Sequence, residues 1–191
     1  MASLNGKDKL YHGTSEFFDE IDLRCAKPFK DFGRGFYLTS LYFQAARWAY
    51  KRSSSKYYVY EFEINVPAEN TLSILDLTSY NQKWLDYVSL NRTTDTADVD
   101  FDIVFDKMAD NRAKNIAPII YAYQASKIST QEAIDKLKWP REDADQYCFK
   151  TQQAIQYLKL AKCIQFPERI IVTPAASHLA FVPDTQKEDS L

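Results

Sequence analysis

A chain of 191 residues with 46% hydrophobic content has enough material to bury a substantial core, and that length is most simply one domain spanning residues 1–191. The net charge of -2, the lack of any apolar run near the roughly 18 residues of a membrane span, and a Met1–Lys9 start without an apolar core argue against a basic nucleic-acid coat, a spanning segment and a secretory leader. The expected location is therefore the cytoplasm. Three widely spaced cysteines, Cys25, Cys148 and Cys163, and two histidines, His12 and His178, indicate neither a disulfide framework nor a zinc site, and no metal is expected. Charge is nevertheless uneven. Residues 1–60 carry ten Lys/Arg against six Asp/Glu, whereas residues 61–148 carry nine against sixteen.

In chain order, Leu10–Ser15 reads as a short strand ending on His12 and Gly13, and Glu16–Lys30 as loop or single helical turns, with Pro28 opposing a long helix. Phe36–Thr39 is a strand with Phe36 and Leu38 toward the core and Tyr37 and Thr39 on the other face. Ser40 is placed as the N-cap of a helix that runs to about Arg52, carries Leu41, Ala45, Trp48 and Ala49 at helical spacing, and backs the Tyr37 strand. Tyr57–Val66 is a strand whose Glu61 and Glu63 are expected on the solvent side of a sheet edge. Leu72–Leu77 is a short strand, Thr78–Leu90 a helix with Trp84, Tyr87 and Val88 inward, and Asn91–Asp100 a polar loop.

Phe101–Met108 alternates apolar and acidic residues and predicts a strand whose aspartates, Asp102 and Asp106, face solvent rather than hold Mg²⁺. Asn115–Ala125 is helical with Pro118 in its first turn. Ser129–Leu137 is a helix with a Ser129/Glu132 capping box, ended by Trp139-Pro140. Gln146–Lys150 is a strand, Thr151–Leu160 an amphipathic helix, Ile164–Phe166 and Ile170–Val172 last strands, and Asp184–Leu191 a disordered tail.

Two glycine sites hold the chemistry. Gly33 and Gly35 straddle Arg34 in a turn that has room for a ligand, with Tyr37 facing its cavity, and His12-Gly13 ends a strand where an imidazole and a bare backbone can meet a flat polar group such as a carboxamide. Arg24, Lys27, Lys30, Arg34, Arg47, Lys51, Arg52 and Lys56 surround these sites in sequence and suit phosphate groups. Gln146 at a strand's first residue can reach a cleft.

Taken in order, Tyr11-His12-Gly13-Thr14-Ser15, Gly33-Arg34-Gly35-Phe36-Tyr37-Leu38 and Gln146-Tyr147-Cys148-Phe149-Lys150-Thr151 resemble the ADP-ribosyltransferases of the diphtheria-toxin and poly(ADP-ribose) polymerase type. The whole chain, with Trp84-Leu85-Asp86-Tyr87-Val88, Asn91-Arg92, Phe101-Asp102-Ile103-Val104 and Ala109-Asp110-Asn111, is also similar to a bacterial family of unknown function within that superfamily. The resemblance covers about Lys9 to Cys163 and implies an α+β fold, with a split mixed β-sheet core and peripheral helices.

It further implies NAD as co-substrate, held by His12, Gly13, Thr14, Arg34, Gly35, Tyr37 and Trp48. His12 would bond the adenosine ribose, Gly13 backbone would grip the nicotinamide carboxamide, Tyr37 would stack on nicotinamide, and Trp48 falls near a second stacking aromatic of the family. The family's carboxamide-holding serine has no secure counterpart. The catalytic set would be His12, Tyr37 and Gln146, with Gln146 where the transferases have glutamate. An amide bonds a hydroxyl but carries no charge. The implied activity is mono-ADP-ribosyl transfer to an unidentified acceptor, in a toxin-like protein partnered by an antitoxin or regulatory protein. The alternatives are an inactive NAD or ADP-ribose binding module and an RNA 2'-phosphotransferase. On this reading, Gln146→Glu alone should raise NAD hydrolysis by restoring the charge.

Overall fold

The computed structural model describes residue 4 and residues 6–53, 56–67, 71–95, 100–110, 116–141 and 143–167. Its class is α+β. A three-stranded antiparallel sheet is ordered β1-β3-β7, from Lys9–Thr14, Tyr57–Ile64 and Leu158–Phe166. A four-stranded sheet is ordered β2-β6-β5-β4, from Phe36–Leu38, Gln146–Phe149, Ile103–Asp106 and Ile74–Leu77. Its pairs are antiparallel except for the parallel β4–β5 pair. The helices are α1 (Tyr42–Arg52), α2 (Gln82–Thr93), α3 (Ile116–Gln124), α4 (Thr130–Leu137) and α5 (Gln152–Ile155), with a 3-10 turn at Leu23–Cys25.

The two sheets meet at one bridge, where Tyr11 N donates to Thr39 O (2.7 Å) and Thr39 N to Tyr11 O (2.9 Å). Strand alternation sends Phe36 and Leu38 into a core shared with Leu10, Tyr60, Phe62, Phe105 and Tyr147, and leaves Tyr37 on the opposite face against a second core. That second core is built by Trp84, Leu85 and Val88 of α2 and by Ala133, Ile134 and Leu137 of α4. Asn81 caps α2 by accepting from Trp84 N (3.0 Å), and Ser129 caps α4 by accepting from Glu132 N (3.2 Å). Caps of this kind each contribute about 1 kcal/mol. The Glu132 carboxylate lies 2.9 Å from Lys136 Nζ.

Several sequence expectations are corrected. Ser40 does not cap α1: its hydroxyl donates to Asp145 (2.5 Å), the N-cap position is Leu41, and Thr39 Oγ1 accepts from Leu41 N. Helix α1 lies on β1 and β3, not on β2, with Ala45 and Ala49 buried against Tyr57, Val59 and Phe166. Its small residues allow close approach. A Cβ on Gly13 would stand only 1.9 Å from the Ala45 carbonyl oxygen.

Glu61 and Glu63 are on the central strand of their sheet, not on an edge. Lys9 on one neighbour reaches Glu61 (2.6 Å) and Lys159 on the other reaches Glu63 (3.6 Å). Strand β5 carries a core on each face, Val104 on one and Ile103 and Phe105 on the other, so its acidic side is not solvated. Asp106 is buried, and Asp102 accepts from Ser73 N and Thr151 Oγ1. The helix expected over Thr151–Leu160 stops at Ile155, and Leu158–Phe166 forms one long strand along β3. The expected Ile164–Phe166 strand is its end. Non-local pairing overrides the local period there, because β3 needs a partner along its second side. Ile170–Val172, Asp184–Leu191 and Asn115 lie outside the described residues.

Candidate functional site

At the bridge between the sheets, β1 presents His12 and Gly13 beside Tyr37 of β2. His12 Nδ1 is 2.7 Å from Tyr37 O. A carbonyl only accepts, so Nδ1 carries the proton and Nε2 is left as an acceptor, the polarity that suits a ligand hydroxyl. The imidazole stacks on Phe36 with 4.5 Å between centroids, and Phe18 meets it edge-on. Burial in this aromatic setting pulls its pKa down to about 4 against the Tyr37 hydrogen bond, and the Arg52 charge acts in the same direction as burial. His12 is therefore neutral near pH 7.

Tyr37 is held by the glycine turn that precedes it. Its hydroxyl donates to Gly33 O (2.7 Å) and accepts from Phe32 N (3.1 Å). Burial first, then the neighbouring Cys148 and Asp31, raises its pKa well above that of an ordinary tyrosine, so the ring stays uncharged. Gly33 has φ +76°, and a Cβ there would be 2.3 Å from Asn91 Oδ1. A Cβ on Gly35 would be 2.4 Å from Cys148 Sγ. The room expected for a ligand at these glycines is taken up by the chain itself, which seats the turn on α2 and β6.

Residues Asp31–Gly33 also bind Gln146 to this arrangement. Asp31 is 2% exposed and accepts four hydrogen bonds. Arg92 Nε (2.7 Å) and Nη2 donate to Oδ1, while Ala109 N (2.9 Å) and Gln146 Nε2 (2.9 Å) donate to Oδ2. Lys150 Nζ donates to Phe32 O (2.9 Å) and to Tyr87 OH (3.2 Å). Gln146 opens β6 opposite Asp106 and is 9% exposed.

Trp48 is not a core residue. It is 42% exposed one turn beyond Ala45, with the Arg52 guanidinium 3.9 Å above its ring. Ala45, the α1 residue against Gly13, offers no hydroxyl. Lys30 is partly buried, and burial, then Arg52, Arg92 and Lys27, lowers its pKa. Lys30 and Arg52 have no carboxylate partner among the described residues. Other cations of the segment are committed: Arg24 to Asp22, and Arg34 by a two-pronged contact to Asp95 and by Nη1 to Ala26 O. Thr14 Oγ1 accepts from Glu16 N (3.1 Å).

Thus β1 brings His12 and Gly13 beside the Tyr37 backbone, with the imidazole on the Phe36 side of β2 and the Tyr37 ring on the other. Asp31 ties Gln146 to the glycine turn that holds the Tyr37 hydroxyl; Trp48 and Arg52 are on the helix over Gly13, whereas Arg34 serves a surface ion pair. The sequence assigns no role to Asp31 or to Arg92. They are 61 positions apart, and nothing local to either signals the pairing. Among the described residues, no group of three or more His, Cys, Asp or Glu is arranged for a metal, and no helix is long and apolar enough to cross a membrane. An open depression at the α3–α4 turn, bordered by Tyr123, Lys127 and Glu132, includes none of the site residues.

The arrangement defines an α+β protein with a histidine–tyrosine junction between two sheets. A family model described as a protein of unknown function (DUF3990) matches residues 9–160, and the chain belongs to that family. No curated protein and no solved structure gave a match.

Proposed function

We propose that the chain is a cytoplasmic, NAD-dependent mono-ADP-ribosyltransferase whose site is the His12–Tyr37 junction. The observation that carries this reading is the paired commitment at the bridge. His12 spends Nδ1–H on Tyr37 O and keeps Nε2 as an acceptor, while Tyr37 spends its hydroxyl on the glycine turn and keeps its ring as an uncharged surface. An acceptor for a ribose hydroxyl and an aromatic face for nicotinamide are what a dinucleotide needs. Lys30 and Arg52, without carboxylate partners among the described residues, suit its diphosphate.

In the reaction, the bond between nicotinamide nitrogen and the ribose anomeric carbon breaks and its electron pair leaves with neutral nicotinamide. An acceptor nucleophile then bonds to that carbon and loses its proton. The sugar becomes cationic as the bond breaks, so fixed acceptors close to it favour cleavage. The uncharged amide at position 146 favours a second reading, a module that binds NAD or ADP-ribose without turnover. Incubation of purified protein with NAD labelled in the ADP-ribose part, with and without cell lysate, separates the two. Released nicotinamide and a labelled macromolecule support the transferase, and binding without release supports the module.

A further inference from the structure

The side chain of Gln146 has one donor end and one acceptor end, and which end meets a ligand decides what it can do. Asp31 decides this. Its carboxylate only accepts, its Oδ1 is occupied by Arg92, and its Oδ2 takes Gln146 Nε2 at 2.9 Å. The donor end of the amide is thereby anchored, and Oε1 is left as the free acceptor. Among the described residues no donor reaches Oε1, which is not sealed from solvent. The Asp31–Arg92 pair is also oriented, with Arg92 on Oδ1 and the opposite oxygen toward Gln146, so the negative end of the pair stands behind the amide.

We propose that Asp31 is the positioning residue of the site. It holds Gln146 with its oxygen toward the sugar and lends that oxygen negative character, so that a glutamine performs the electrostatic work of a carboxylate. The inference rests on the transferase reading above. At 2% exposure Asp31 does not touch substrate and acts only through Gln146. As the anomeric carbon becomes positive, an acceptor oxygen polarised by a buried charge is stabilising, whereas a rotated amide would point N–H at the developing cation.

The test compares nicotinamide release from NAD by wild type, Asp31→Asn, Gln146→Glu and the exchange Asp31→Asn/Gln146→Glu. In Asp31→Asn the amide loses its fixed orientation, and kcat should fall at least about tenfold with KM within about threefold. The exchange restores one carboxylate and one amide with donor and acceptor reversed, although it sets the amide Nδ2 at position 31 against Ala109 N–H, and should raise kcat several-fold above that of Asp31→Asn. Gln146→Glu alone sets two carboxylates against each other and should stay below the exchange. A folded Asp31→Asn with wild-type kcat, or an exchange no better than Asp31→Asn, overturns the proposal.

Should Asp31→Asn fail to fold, wild type labelled with ¹⁵N-glutamine keeps the claim testable. The Gln146 side-chain amide must be protected from exchange and hold one orientation with and without NAD, and two interconverting orientations refute it. A wild type that neither binds NAD nor releases nicotinamide defeats the transferase reading on which the inference rests. An active wild type matched by Asp31→Asn defeats the inference alone.

Discussion

Acidification should destabilise the folded chain through His12, by an amount that follows from its burial. The imidazole has an ordinary pKa of 6.5 and is held at about 4 in the fold, chiefly by burial. Between those values the unfolded chain binds a proton that the folded chain does not, so stability is complete above 6.5 and is lost as the pH falls toward about 4. Each pKa unit is worth about 1.4 kcal/mol, which sets a ceiling of roughly 3.5 kcal/mol for the whole window. Carboxylates titrate over part of the same range, so the comparison needs a control. In His12→Asn the amide can donate to Tyr37 O as Nδ1 does but does not titrate. Urea unfolding at about pH 7, 5.5 and 4.5 should show wild type losing more stability than His12→Asn, with the difference reaching roughly 2.5 kcal/mol at the acid end. Parallel curves for the two proteins would mean that His12 is not held neutral, and the assignment of Nε2 as a free acceptor would fail with it.

Gly13→Ala drives a Cβ into the Ala45 carbonyl at 1.9 Å, so α1 must shift; thermal melting should register a loss on the order of 3 kcal/mol, and an unchanged melting temperature would contradict the packing of α1 on β1. Tyr37→Phe removes the partner of Gly33 O and Phe32 N and should cost about 1–3 kcal/mol of stability while calorimetric NAD affinity stays within about threefold; Tyr37→Ala should lower that affinity at least several-fold. Equal affinity in all three folded proteins would remove Tyr37 from the site. Trp48→Ala, at an exposed position, should change stability by less than about 1 kcal/mol yet weaken NAD binding several-fold, and a loss in denaturation midpoint without one in affinity would reverse its role. Gln146→Glu places a second carboxylate against Asp31, and the two repel only where both are ionised, so melting should drop more at about pH 8 than at pH 5. An equal drop at both pH values would argue against the contact.

That last expectation sets a stability cost beside the rise in hydrolysis that the sequence alone suggests for Gln146→Glu, and the reason is the partner. A glutamine at a strand start reads as a lost charge until Asp31 is found 2.9 Å away, and a contact across 115 positions leaves no trace in periodicity or spacing. The glycine turn and the Tyr37 face were legible, because strand alternation and the tolerances of glycine are local rules that the packing obeys. The reason for the glycines was not, since Asn91 and Cys148, against which they pack, come from distant elements. Local period misled at Thr151–Leu160, where the unmet side of β3 draws Leu158–Phe166 into a strand, and at β5, where a core on each face buries an alternation that reads as half-exposed. Trp48 shows the converse: helical spacing placed it with Ala45 and Ala49, but only the alanines are small enough to lie beneath the helix against β1 and β3.

The central claim is that the His12–Tyr37 junction binds and cleaves NAD. Its most direct test is a calorimetric titration of NAD into the wild-type chain, with nicotinamide quantified in the cell afterwards. The account predicts saturable binding at one site and accumulating nicotinamide. The absence of binding heat and of nicotinamide from a folded wild-type protein would contradict it.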